Sequence, residues 1–349
     1  MNEYSAYTSA GIQTLQQWYD PDSGQWQSTG WWNAANALWV LIDYAVRANE
    51  PAYLDTVRWT FQKHRRGGFL NNFYDDEGWW ALTWIKAYDA TGNQHYLVTA
   101  QMIYADMETG WDDICGGGIW WSKERSYKNA IANELFLTVG ARLQRRATTE
   151  EEQSYYWQRA QETWHWFAQS GMINSQYLVN DGLRNCTNNG GPTWTYNQGV
   201  IIGGLVELYH ITHDQSYLAP ATAIADATIT TLVNVNGILQ EPCEQNNDCG
   251  ADGPQFKGIF ARNLAHLLEV VPKESYRNFL LTNARAIVTN NRNELHQYGL
   301  HWNGPIDSTD AARQSSALDV LNIAMSLSEA PLMNNLNDGK SAADGNVTH

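Results

Sequence analysis

The sequence predicts an all-α protein in which six inner and six outer helices alternate around a closed ring. Three observations lead there. Segments apolar on nearly every side alternate with segments apolar along one stripe, the first suited to enclosure by protein and the second to a place between core and water. Links from an inner to an outer segment are short, Thr91 to Asn93 and Thr212 to Gln215, whereas links back are long. The outer segments also reuse an entry dipeptide, Tyr53-Leu54, Tyr96-Leu97 and Tyr217-Leu218, the mark of a weak internal repeat.

Taken in order, Tyr4 to Tyr19 reads as an amphipathic outer helix ended by the turn formers Asp20, Pro21, Asp22, Ser23 and Gly24. An EF-hand reading of those acids fails on spacing, because the glycine falls one place early and no acid closes the loop. Trp31 to Val46 is the first inner helix. Further inner helices begin near Gly78, Asn129, Asn197, Phe256 and Ala311, with outer partners near Tyr53, Tyr96, Tyr155, Tyr217 and Tyr276. The long links run from His64 to Glu77, Thr109 to Lys128, Gly171 to Tyr196, Asn236 to Gln255 and Arg292 to Asp310. Each enters an inner helix, so all lie on one face, and long loops in a compact fold carry function. The expected organisation is one catalytic domain over residues 1–330, with a polar, aperiodic tail at 331–349 that reads as disordered.

Composition narrows the partner. A net charge of −15 argues against nucleic acid, which is bound through clustered Lys and Arg. Seventeen Trp and 18 Tyr exceed what a core needs and suit the apolar faces of sugars. No apolar run is long enough to span a membrane, and the residues after Met1 lack the basic and apolar regions of a signal peptide. Four cysteines without a zinc-like CxxC pair favour disulfides and a secreted, extracellular protein. Of the three connectivities they allow, Cys115–Cys186 with Cys243–Cys249 is preferred: one pair closes a short loop and the other ties the loops entering the third and fourth inner helices.

The chemistry points to Tyr74-Asp75-Asp76-Glu77-Gly78-Trp79-Trp80. Adjacent carboxylates against indoles are costly, since like charge and desolvation both disfavour ionisation. Two carboxyl groups held at different pKa values are what glycosidic cleavage requires. The competing reading is an ordinary acidic helix start.

The segments YDDEGWWALTWIKAYDATGN, CGGGIWWS, YKNAIANELFL, TYNQGVIIGGLVELY and FKGIFARNL, together with the span Trp31 to Leu327, resemble glycoside hydrolase family 76, the endo-α-1,6-mannanases, and among them the fungal-type secreted members. The resemblance implies an (α/α)6 toroid and a retaining mechanism through a covalent mannosyl-enzyme. Asp75 would be the nucleophile and Asp76 the general acid/base. It implies no cofactor and no metal, and α-1,6-mannan or a manno-oligosaccharide as the partner of a monomer.

Candidate sugar-binding residues follow from type and position. Trp79, Trp80, Trp120 and Trp121 are stacking candidates, each weighed against a place in the core. Asn129 and Asn133 head one inner helix, and Tyr196 and Gln198 another; they either bind hydroxyls or serve the helix starts. Lys257 and Arg262, five apart, cannot both face the ring axis, and their bland reading is pairing with Asp248 or Asp252. His210 and His213 have no third ligand and read as surface residues. Three rivals stay open: a cell-wall transglycosylase acting on α-mannosyl glycans of glycan-anchored proteins, a mannan-binding lectin, and a different toroid enzyme.

Overall fold

A computed structural model describes residues 3–328; the polar tail at 331–349 lies outside them. The helices run α1 (Glu3–Gln17), α2 (Trp31–Arg47), α3 (Leu54–His64), α4 (Tyr74–Thr91), α5 (Gln94–Glu108), α6 (Ala130–Gln144), α7 (Glu150–Gln169), α8 (Thr195–Thr212), α9 (Leu218–Thr231), α10 (Gly253–Val270), α11 (Glu274–Asn290) and α12 (Ala311–Leu327). The even-numbered helices pack side by side and close the ring where α12 meets α2. The odd-numbered helices form the outer layer, α1 against α12 and the others each against the inner helix preceding it. This is the (α/α)6 toroid that the alternation predicted.

The separation into layers follows from side-chain pattern. Inner helix α8 is buried along almost its whole length, whereas α7 buries only one stripe, Tyr156, Ala160, Thr163, Trp166 and Phe167. Close approach of the inner helices depends on glycine at two places. A Cβ on Gly199 would sit 2.6 Å from the Phe260 Cα, and one on Gly258 would sit 2.5 Å from the Ser316 carbonyl oxygen. Either would push neighbouring helices apart.

One boundary differs from the sequence reading. Helix α4 starts at Tyr74 rather than Gly78, which places both aspartates in its first turn. Two short hairpins also stand in what is otherwise all helix: β1 (Tyr19–Asp20) with β2 (Gln25–Trp26), and β3 (Leu183–Arg184) with β4 (Thr187–Asn188). The first forms because Asp20 Oδ1 accepts from the Asp22 N–H at 3.0 Å and its carbonyl from the Gly24 N–H at 2.7 Å, so the acids proposed as a turn make a turn. The disulfides are Cys115–Cys186 and Cys243–Cys249, the preferred pairing.

Candidate active site

The inner helices all begin at one end of the ring, and there a cavity of about 200 Å³ opens. Its walls are aromatic: Trp32 from α2, Trp79 from α4, Trp121 and Tyr127 from the loop before α6, and Tyr196 and Phe256 from α8 and α10. Three carboxyl groups, Asp75, Asp181 and Asp252, face this space together with Asn129. An aromatic wall studded with acids and lacking lining cations can stack sugar rings and bond their hydroxyls, and it repels anions.

Asp75 is fixed by its neighbours. The Trp121 indole donates to its Oδ2 at 2.9 Å, and N–H groups of the first helical turn favour the anion. Its Oδ1 is shut off from solvent and has no hydrogen-bond partner among the described residues. Burial pushes this carboxyl well above the usual carboxylate range, and the adjacent Asp76 adds to the rise. Asp76 turns elsewhere, because consecutive side chains on a helix diverge by roughly 100°. Its Oδ2 accepts from Asn71 Nδ2 at 2.6 Å. Burial lifts Asp76 to about 6, and Asp252 contributes to the lift. Burial and like charge thus both oppose ionising the two carboxyls together.

Behind the pair, Glu77 is fully buried and anchors the turn: it accepts the Asn71 N–H at 3.1 Å and pairs with Lys123 at 2.8 Å. Burial pushes it to about 8. The Tyr74 N–H donates to the Trp121 carbonyl at 2.9 Å, so the loop carrying Trp121 and the first turn of α4 are bonded twice. Elsewhere in the lining Tyr127 donates to Asp181 Oδ2 at 2.5 Å, and Trp32 Nε1 donates to Asp252 Oδ1 at 2.7 Å.

Of the sequence candidates, Asp75, Trp79, Trp121, Asn129 and Tyr196 line the cavity and Asp76 flanks it. Asn129 also caps α6, accepting from the Ala132 N–H at 3.3 Å. Four others are placed in structural roles instead. Trp80 is fully buried and stacks on Trp84, centroids 5.7 Å apart. Trp120 is buried and donates to Asp112 Oδ2 at 2.7 Å beneath the Lys128 ammonium. Asn133 clamps both backbone groups of Ile119, and Gln198 clamps both of Val179. The two tryptophans are drawn into packing, whereas the two amides point between helix and loop, where buried backbone groups must be satisfied and an amide can do so at both ends.

Lys257 and Arg262 diverge as their spacing required, but not onto Asp248 or Asp252. Lys257 pairs with Glu244 at 2.6 Å, and Arg262 with Asp319 at 3.5 Å on the axis. Asp252 is thereby left to the cavity. Trp32, Tyr127, Asp181, Asp252 and Phe256 were not singled out as site residues from sequence. Three of them lie in the long loops, which were the available signal.

A helical toroid with a carboxylate pair in an aromatic cleft at the inner-helix N-termini is the build of a carbohydrate-processing protein. The chain belongs to Glycosyl hydrolase family 76, which it matches over residues 3–335. It is similar to the Mannan endo-1,6-alpha-mannosidase DCW1 of Candida glabrata, 28% identical over 90% of this chain and 76% of the relative. The Lin0763 protein of Listeria innocua superposes with a TM-score of 0.82 at 27% identity, covering 94% of this chain and 98% of the other. The GH76A alpha-1,6-mannanase of Salegentibacter sp. HEL1_6 shares the fold, TM-score 0.83 at 24% identity, covering 93% of this chain and 100% of the other. That enzyme has an inactive variant, with two neighbouring aspartates replaced by alanine, in complex with alpha-1,6-mannotetrose.

Proposed function

We propose that this chain is a secreted, endo-acting hydrolase of α-1,6-mannan that works with retention through a covalent mannosyl-enzyme, the ring being its one catalytic domain. The observation that carries the reading is the pair Asp75 and Asp76 in the first turn of α4, one in the aromatic cleft and one beside it. The named relatives, mannan endo-1,6-mannosidases, supply the substrate class.

In this mechanism Asp75 Oδ2, oriented by Trp121, attacks the anomeric carbon, while Asp76 protonates the departing glycosidic oxygen. Asp76 then takes a proton from water as that water displaces Asp75. An acid lifted to about 6 suits this double duty near neutrality. Burial favours the neutral form of Asp75 at rest. Positive charge developing on the sugar reverses that preference in the transition state, where the proton on Asp76 passes to the leaving group. Trp79, Trp121 and Tyr196 would stack sugar rings, and Asn129, Asp181 and Asp252 would bond hydroxyls. Two disulfides fit an oxidising, extracellular compartment.

The test is time-resolved product analysis on linear α-1,6-mannan. The proposal expects early oligomers of mixed length whose new reducing ends are α. Release of mannose alone from chain ends would remove the endo reading, and β products would remove retention. Longer products on adding acceptor oligosaccharides, in place of water-terminated ones, would mark the transglycosylase.

A further inference from the structure

The far end of the ring, where the inner helices finish, holds a second cavity of about 240 Å³. Its walls come from the later turns of α2, α4, α6, α8 and α10 with Ile323 of α12. Inner helices of 15 to 18 residues span roughly 25 Å, so cavity and cleft are opposite ends of one axis.

In a chain of net charge −15 the lining is reversed in sign. Six cations line it, Arg47, Lys86, Arg142, Arg145, Arg146 and Arg262. Four acids, Asp43, Asp89, Glu207 and Glu269, oppose them. His266 is a further cation when protonated: burial pulls it down, but Glu207 and Glu269 outweigh burial and raise it.

Each of these cations has a carboxylate partner, Arg146 on Asp89 and Arg262 on Asp319 among them, but the carboxylates are fewer than the cations and two of them are shared. Asp43 is shared by Arg47 and Lys86, each at 2.7 Å. Glu207 is shared by Arg142 at 3.0 Å, Arg145 at 2.6 Å and His266 at 3.3 Å, so three donors divide one carboxylate. Arg142 Nε, Arg262 Nη1 and His266 Nε2 are buried, and each faces its carboxylate, Glu207 for the first and last and Asp319 for Arg262, outside good hydrogen-bond geometry. Asp319, which stands behind Arg262, is lifted by burial to about 7, so near neutrality it offers only part of a charge.

Compensation of helix dipoles is the plainer account of cations at helix C-termini. It explains Arg146, which donates to the Arg142 carbonyl at 2.7 Å. It does not account for Arg262, which donates to Asn36 Oδ1 at 2.6 Å, or for Arg142 and His266, which turn to Glu207. Guanidinium groups in excess of carboxylates around a polar space are the donor set for an oxyanion. We propose that this cavity binds a small phosphate-type dianion, as the free ion or a monoester, through Arg142, Arg145, Arg262 and His266. The site also touches the support of the cleft, since Arg262 lies between the rings of Trp39 at 4.6 Å and Trp79 at 5.7 Å.

Isothermal titration of the full chain with inorganic phosphate, and separately with a hexose 6-phosphate, tests this against sodium chloride at equal ionic strength. One saturable site is expected for at least one oxyanion and none for chloride. The tighter of the two names the source. Arg145→Gln, at a side chain 39% exposed at the cavity mouth, removes one charged hydrogen bond and should weaken binding roughly tenfold. Asp252→Asn, in the cleft at the other end, should leave it unchanged. Melting curves identify folded variants, and Arg145→Gln alone decides if Arg142→Gln does not fold. Heats no different from chloride, or unchanged affinity in the folded arginine variants, would overturn the proposal.

Discussion

The Trp121 indole donates to Asp75 Oδ2 at 2.9 Å, joining the loop that carries the Cys115–Cys186 disulfide to the first turn of α4. The bond favours the ionised carboxylate and fixes its direction. Trp121→Phe keeps an aromatic ring but removes the donor. A hydrogen bond to a charged group contributes about 1.5 to 3 kcal/mol, so kcat should fall roughly ten- to a hundredfold. Because that bond lowers the Asp75 pKa, its loss should move the acidic limb of the pH–rate profile upward. A profile that keeps its position while kcat is unchanged would show that Trp121 does not orient Asp75.

Trp79 and Trp80 are consecutive, yet they should fail differently. Trp79 lines the cleft and stacks on Trp32, centroids 5.6 Å apart, whereas Trp80 is wholly within the core. Trp80→Ala should cost about 3 to 5 kcal/mol of stability. Trp79→Ala should raise KM for mannan oligomers at a smaller loss of melting temperature, tempered by the Arg262 guanidinium that packs on its ring. Equal loss of stability with no change in KM would place Trp79 in the core as well.

The ring was legible because it depends on local pattern: the two kinds of helix, the asymmetry of link lengths and the cysteines in the long links are all written along the chain. Half of the cleft was not. Asp181 and Tyr127 meet across 54 positions of sequence, and Trp32 and Asp252 across 220, so their pairing exists only once the loops have closed. Trp120 and Asn133 show the opposite limit. Residue type marked them as sugar-binding candidates, but Trp120 in its loop turns to Asp112, and Asn133 on α6 turns to the Ile119 backbone of a loop whose path is set only in the folded ring.

Glu241 supplies a pH test of stability. It is fully buried, and burial raises it from 4.5 to about 8 although its oxygens accept from the N–H and hydroxyl of Thr195. An acid raised in the folded state is still protonated there when the unfolded chain has already ionised, so the unfolded form releases its proton first. Stability from this group is therefore intact below about 4.5 and is lost as pH rises towards about 8. Glu241→Gln stays neutral and can keep both partners. Denaturant melts across that window should show a shallower decline for the variant than for wild type. Parallel curves would mean that Glu241 does not titrate there.

The Cys115–Cys186 bond closes a loop across 71 positions and ties the link before α6 to the link before α8. By loop entropy its removal should cost about 4 kcal/mol. Since Trp121 lies six residues beyond Cys115, a Cys115→Ser and Cys186→Ser double variant should also lower kcat at temperatures where it remains folded. Loss of stability without any change in kcat would confine the bond to the fold.

The two aspartates can be separated by the step at which each fails. With Asp76→Ala the nucleophile remains, so an activated mannoside such as an aryl or fluoride derivative should still mannosylate Asp75. Azide should then relieve the slow second step and yield the α-azide, since two displacements restore configuration. With Asp75→Ala the covalent route is gone, and azide must attack the anomeric carbon directly to give the β-azide. Natural polymer, whose leaving group needs a proton, should resist both variants. The losses should not add, because acid and nucleophile serve one sequence of steps. The cleft makes the comparison fair: Asp75 and Asp76 are held by different partners, Trp121 and Asn71, so removing one side chain leaves the anchor of the other in place. Configurations exchanged between the variants would reverse the roles of Asp75 and Asp76, and α-azide from both would mean that neither is the nucleophile.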